Sequence, residues 1–167
     1  LLSSIVALFF ALAVLDQFLA RRKPYQLVWA VGLLMYTVST ACEFVVGAYG
    51  VSAAVYRLWY LFGAVLVAAY LGLGTVYLLA RRQAARVVLV LLLLLSAFAI
   101  YRVMSPELAL GNLVPGENLT GEAFPSGAAG PRILTPIFNS FGTIALVGGA
   151  LWSAWVFWRR RILPHRV

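Results

Sequence analysis

The chain has 167 residues, 63% of them hydrophobic and only 11% charged, with a mean hydropathy of +0.96. A soluble domain carries about 25% charged residues, so this composition excludes an ordinary soluble domain. The formal net charge of +8 does not point to nucleic acid: the basic residues flank apolar runs, where membrane topology and anionic lipid headgroups account for them.

About 20 apolar residues cross a bilayer core of roughly 30 Å, and five stretches meet that length. The first span, 1–20, is closed by Arg21-Arg22-Lys23-Pro24. No basic stretch precedes it, so it reads as a span and not as a cleavable signal peptide. Pro24 stands where an N1 proline opens the second span, 25–49. Gly50-Val51-Ser52 is a short turn that folds the third span, 54–80, back as a tight antiparallel hairpin. Arg81-Arg82-Gln83 turns the chain into the fourth span, 84–104.

The connection 105–133 differs from the others. It holds Pro106, Pro115, Pro125 and Pro131, together with Glu107, Glu117 and Glu122, and is too polar and broken to cross lipid. A loop of this length is usually functional, disordered or a partner-binding element. Asn118-Leu119-Thr120 matches a glycosylation sequon, a motif common by chance. The fifth span, 134–158, is stopped by Arg159-Arg160-Arg161, and the tail beyond it leaves room for further spans.

Ten of the thirteen Lys and Arg fall at alternate gaps: Arg21, Arg22 and Lys23; Arg81, Arg82 and Arg86; Arg159, Arg160, Arg161 and Arg166. Only Arg57, Arg102 and Arg132 lie toward the opposite ends. By the positive-inside rule this places the N-terminus outside and the C-terminus in the cytoplasm. The expected fold is all-α: a polytopic integral membrane bundle of five helices, one transmembrane domain over 1–167, with an external loop at 105–133. No internal repeat supports an inverted-repeat transporter.

Small residues four apart mark close helix packing in lipid. The third span carries Ala64, Ala68 and Gly72 in that register, and the fifth carries Ala145, Gly149 and Ser153, thinned further by Gly142 and Gly148. These two are expected to be the central helices. The branched aliphatics at 87–95 suit a lipid-facing fourth span. Trp152, Trp155, Phe157 and Trp158, with Tyr25 and Trp29, form one aromatic belt; Tyr49, Tyr56, Trp59 and Tyr60 form the other.

Ionisable residues inside spans are costly and mark candidate sites. Glu43 lies seven positions before Gly50 and Arg57 a similar distance after it, so both sit roughly 10 Å below the turn at about 1.5 Å per residue. An ion pair between them would pin the hairpin; Arg102 is a competing partner. The functional alternative is a polar pocket lined by Glu43, Arg57, Tyr56, Tyr60, Arg102 and Asn139. Asp16 is expected to reach Arg21 or Arg22. Thr135-Pro136, with Asn139-Ser140 a turn later, is expected to cap the fifth helix and receive the long loop, with binding of a ligand headgroup as the alternative.

Catalytic templates fail. The single cysteine, Cys42, excludes an intrachain disulfide and a cysteine metal site. The single histidine, His165, excludes a bis-histidine haem and a histidine-rich metal centre. Ser126-Gly127 falls in the loop, across the membrane from His165, so a Ser/His protease is not expected. No phosphate-binding loop, dinucleotide fingerprint, zinc-protease helix or selectivity filter occurs. No metal, catalytic residue or cofactor is expected. Binding of lipid, quinone or pigment stays open, through aromatic and aliphatic contacts.

The segment Tyr56-Arg57-Leu58-Trp59-Tyr60, followed by Leu71-Gly72-Leu73-Gly74-Thr75, resembles a motif of uncharacterised bacterial multi-pass membrane proteins. Leu134-Thr135-Pro136-Ile137-Phe138-Asn139 is similar to theirs as well. Spans two to four also resemble the seven-span sensory regions attached to some bacterial histidine kinases. The resemblance implies a bacterial inner-membrane protein and carries no site residue with it. The expected function is non-enzymatic: an accessory or structural subunit of a larger membrane complex, with the bilayer, its anionic lipids and membrane-protein partners as contacts. A small sensor or ligand-binding module using the Glu43/Arg57 pocket is the alternative, and a transporter or channel subunit the third reading.

Overall fold

Each break in the sequence becomes a break between helices. In the computed structural model residues 1–113, 119–124 and 131–162 are described, and among them every regular element is helical. Asn118 of the sequon, Ser126, Gly127, His165 and Arg166 lie outside the described residues. Five helices follow in order: α1, Leu2–Arg21; α2, Pro24–Tyr49; α3, Ala53–Leu79; α4, Arg82–Met104; and α5, Pro131–Ile162. All five are long and apolar enough to cross a membrane.

The turns obey local chemistry. α1 ends where Arg22 takes a left-handed conformation (φ 53°) and its N–H bonds the Phe18 carbonyl at 2.7 Å. Extended Lys23 then hands the chain to Pro24, which opens α2 without needing an N–H acceptor. Gly50, at φ 88°, closes α2. Ser52 starts α3, its Oγ accepting the Val55 N–H at 3.4 Å. These connections are so short that α1 to α4 run up and down. The three inter-helix turns put Arg21, Arg22, Lys23, Arg81 and Arg82 at one end and Gly50 at the other.

α3 is the centre of the bundle: half of its most apolar window (50%) is buried, against 17–22% for α1, α2 and α4 and 11% for α5. The expectation that α3 and α5 are both central is therefore corrected. α5 lies against α3 along one stripe and leaves the rest of its surface outside. That stripe is built of small residues. A Cβ on Gly142 would stand 2.3 Å from the Ala68 carbonyl oxygen. One on Gly72 would stand 2.8 Å from the Gly142 Cα, and one on Gly149 2.4 Å from Thr75. Ser153, assigned by register to the same stripe, is exposed. The branched residues of α4, among them Val87, Leu91 and Leu94, point outward.

α3 is not α-helical throughout. Residues Tyr60–Leu66 wind as a π-helix, with the Val67 N–H reaching back to the Phe62 carbonyl. Such segments are rare, and where they occur they are frequently at functional sites. Two features accompany this one. Gly63 presses against α2 so closely that a Cβ would stand 2.0 Å from the Ser39 Oγ. On the other flank the Ala64 carbonyl accepts a hydrogen bond from Asn139 Nδ2 of α5 at 3.1 Å.

Candidate functional site: a groove between α2 and α3

The face of α2 carrying Tyr36, Ser39, Thr40 and Glu43 is spaced i, i+3, i+4, i+7, so all four side chains share one stripe. Opposite them α3 presents Trp59, Gly63, Ala64 and Val67. Together they line a groove of about 250 Å³, open on the flank of the bundle. Glycine at 63 lets the two helices touch below the mouth, and the wider groove opens around that contact.

The polar groups of the groove are mostly committed. Glu43 is exposed, and its Oε1 accepts the Trp59 indole N–H at 2.9 Å. Thr40 donates back into its own helix, shared between the Tyr36 and Thr37 carbonyls at 3.1 Å each. Thr37, outside the groove, does the same to Leu33 at 2.9 Å. Ser39 is only 4% exposed, and its hydroxyl has no hydrogen-bond partner among the described residues. Glu43 is the single charged side chain lining the groove, and no ion pair engages it among the described residues.

The Glu43–Arg57 pair expected from depth is not formed. Arg57 turns to α4 instead: Nη1 donates to the carbonyls of Val103, at 3.1 Å, and Met104, and Nη2 donates to Pro106 at 2.8 Å. It thereby serves the carbonyls that α4 leaves unsatisfied at its C-terminus. Arg102 is half-buried over the Phe98 ring, 5.9 Å from its centroid. Neither arginine lines the groove. Tyr60 and Asn139 also lie outside it, though both adjoin it through the π segment. Asn139 holds Ala64, while the Tyr60 hydroxyl shares a hydrogen bond with Thr135 Oγ1 at 2.9 Å and donates to the Pro131 carbonyl at 3.3 Å.

The aromatic group at this end is a core and not an interface belt. Tyr56, Trp59 and Tyr60 are buried, and only Tyr49 stays outside. The reason is the long connection, which folds back over them. Phe124, 1% exposed, packs edge-on against Tyr60 with centroids 4.7 Å apart and against Tyr56 at 5.5 Å. Tyr56 donates to the Thr120 carbonyl at 2.5 Å, and the Ala109 N–H bonds Ala123 at 2.8 Å. Trp59 lies 5.7 Å from Tyr56 and 6.0 Å from Tyr60, so it joins the groove to this capped cluster. Thr135, assigned to a helix cap, instead sits inside α5, which starts at Pro131 and not at Leu134.

The contacts expected at the basic end are not formed among the described residues. Asp16 and Gln17 are exposed, and Asp16 forms no ion pair with Arg21 or Arg22 among the described residues. Arg22 lies over the Phe18 ring at 5.7 Å instead. Gln26, 3% exposed, reaches Gln17 at a long 3.5 Å and leaves its Oε1 without a partner. Trp29 donates to the Leu71 carbonyl at 3.0 Å, and its ring fills the space beside Gly74.

No family model, curated protein or solved structure matches this chain.

Proposed function

We propose that this chain is a non-enzymatic multi-pass protein of the bacterial inner membrane that binds an amphipathic small molecule arriving sideways from the bilayer. Exposed apolar side chains on every helix, such as Phe9, Leu94 and Ile144, suit a lipid surround. We read the basic turns as cytoplasmic by the positive-inside rule, a reading under which the groove belongs to the outer half of the membrane. One observation carries the reading: an open groove of about 250 Å³ whose single charged lining residue, Glu43, is steadied by Trp59 but not neutralised. Ionisable groups at membrane depth are kept for function. The link from Trp59 through Tyr56 and Tyr60 to Phe124 gives occupancy a route to the external loop, as a sensor requires.

The test is native mass spectrometry of the chain extracted from its own membranes into lipid nanodiscs. The reading expects one small molecule retained per chain and lost in Val67→Phe, which fills the groove without touching Glu43. An empty wild-type chain, or retention unchanged by Val67→Phe, refutes it.

An accessory-subunit role is the second reading. The observation that favours it is α5, whose apolar window is only 11% buried and whose Trp152, Trp155, Phe157 and Trp158 all face outward. Co-purification with larger subunits at fixed stoichiometry would support it. The transport reading gains nothing from Asp16, which lies at the opposite end of the bundle from the groove.

A further inference from the structure

We infer that the groove selects a protonated primary amine carried on an apolar tail. The inference rests on the binding reading above and names the chemistry of the head. Three observations converge on it. The first is charge. Among the described residues Glu43 is the single charged side chain in the lining, and its one partner is a neutral indole. An anionic head would be repelled, and a neutral one would leave a carboxylate uncompensated at membrane depth. A cation completes the site.

The second is the balance of donors and acceptors. The Trp59 N–H is already given to Glu43, and the Thr40 hydroxyl proton is already given to its own helix. What remains open is the rest of the Glu43 carboxylate and the lone pairs of Thr40 Oγ1; the Ser39 Oγ is taken up by the Gly63 contact, where a Cβ would stand 2.0 Å from it. These lie within about one turn of α2. A primary ammonium brings three N–H donors and no acceptor, matching three oxygens on one helix face. A quaternary ammonium brings none.

The third is size and access. A volume of about 250 Å³ equals roughly eight waters at about 30 Å³ each, room for an ammonium and its first methylenes. The flank opening lets a tail continue outward along Tyr36 and Val67.

The experiment uses the full chain in nanodiscs, with protein-free nanodiscs as the baseline. Four twelve-carbon probes differ only in the head: dodecylamine, dodecyltrimethylammonium, dodecanol and dodecanoate. Saturable binding of dodecylamine at one per chain is expected, with the quaternary analogue at least tenfold weaker and the alcohol and acid at baseline. Glu43→Gln is expected to weaken dodecylamine at least tenfold, and Thr40→Val about threefold. Equal binding of amine and alcohol, or an unchanged affinity in Glu43→Gln, overturns the inference. Should Glu43→Gln fail to accumulate, the amine-to-alcohol ratio on the wild-type chain decides alone. If dodecanol binds as well as dodecylamine and Val67→Phe removes both, the groove is a binding site without amine selectivity. If Val67→Phe displaces no probe, the binding reading falls as well.

Discussion

α3 meets its neighbours in two different ways along its length. Toward the basic end it packs dry and close: Gly72 lies against Gly142, Thr75 against Gly149, and Gly74 against the Trp29 ring. Toward the Gly50 end the same helix turns π-helical, spends its Ala64 carbonyl on Asn139, opens a groove against α2 and carries an aromatic cluster capped by the loop. Lipid gives helices little reason to associate beyond packing and hydrogen bonds. Both halves use both means, since Trp29 donates to the Leu71 carbonyl in the basic half and Gly63 packs on Ser39 in the other, but the Gly50 half adds the polar contacts of Asn139, Tyr56 and Tyr60. The half held by polar contacts has room for a ligand, because side-chain networks can be re-satisfied by a guest, whereas backbones in contact cannot admit one.

The contrast can be broken most sharply in the dry half. Gly142→Ala places a methyl 2.3 Å from a backbone oxygen that cannot swing away. It is expected to cost about 1–3 kcal/mol as an overpacked contact, read as a lower unfolding midpoint in mixed detergent. In the capped half, Tyr56→Phe strips the hydrogen bond to Thr120. A loss of about 1 kcal/mol follows, with faster protease cleavage in the connection between α4 and α5 while α1 to α4 stay intact. Asn139→Ala removes the interhelical bond to Ala64. It is expected to cost about 0.6 kcal/mol, the average for such bonds in a membrane bundle, and to alter probe binding in the groove more than it alters the unfolding midpoint. Gly148, in the same helix as Gly142, has open space where a methyl would stand, with nothing within 4 Å. Gly148→Ala is expected to stabilise by about 0.5 kcal/mol, the ordinary gain of alanine over glycine in a helix. Equal effects at 142 and 148 would erase the distinction between a contact glycine and an idle one.

The helices themselves were legible because their punctuation is chemical: Pro24 suits a helix start, Gly50 takes the positive φ that other residues avoid, and Arg81 cannot continue an apolar span. The small-residue stripe was legible on α3 and only partly on α5, where Gly142 rather than Ser153 makes the approach. Depth below the Gly50 turn put Glu43 and Arg57 at one level. It could not give azimuth, and azimuth decided the partner: Trp59, two residues beyond Arg57, faces α2, while Arg57 faces the end of α4. The π segment left no trace in composition, since its residues Tyr60–Leu66 are as apolar as their neighbours. Position alone puts Tyr56, Trp59 and Tyr60 in an interface belt, because a proline-rich connection gives no sign that Phe124 will return to cover them.

The most direct test of the groove is photolabelling from within the bilayer. A dodecylamine analogue with a diazirine in its tail would be irradiated in nanodiscs holding the full chain, and the labelled peptides mapped. The account predicts labels concentrated in residues 36–43 and 59–67, removed by excess dodecylamine and by Val67→Phe. Labelling that follows lipid exposure alone, strongest along 87–95 of α4 and the outer face of α5 and indifferent to Val67→Phe, would contradict it.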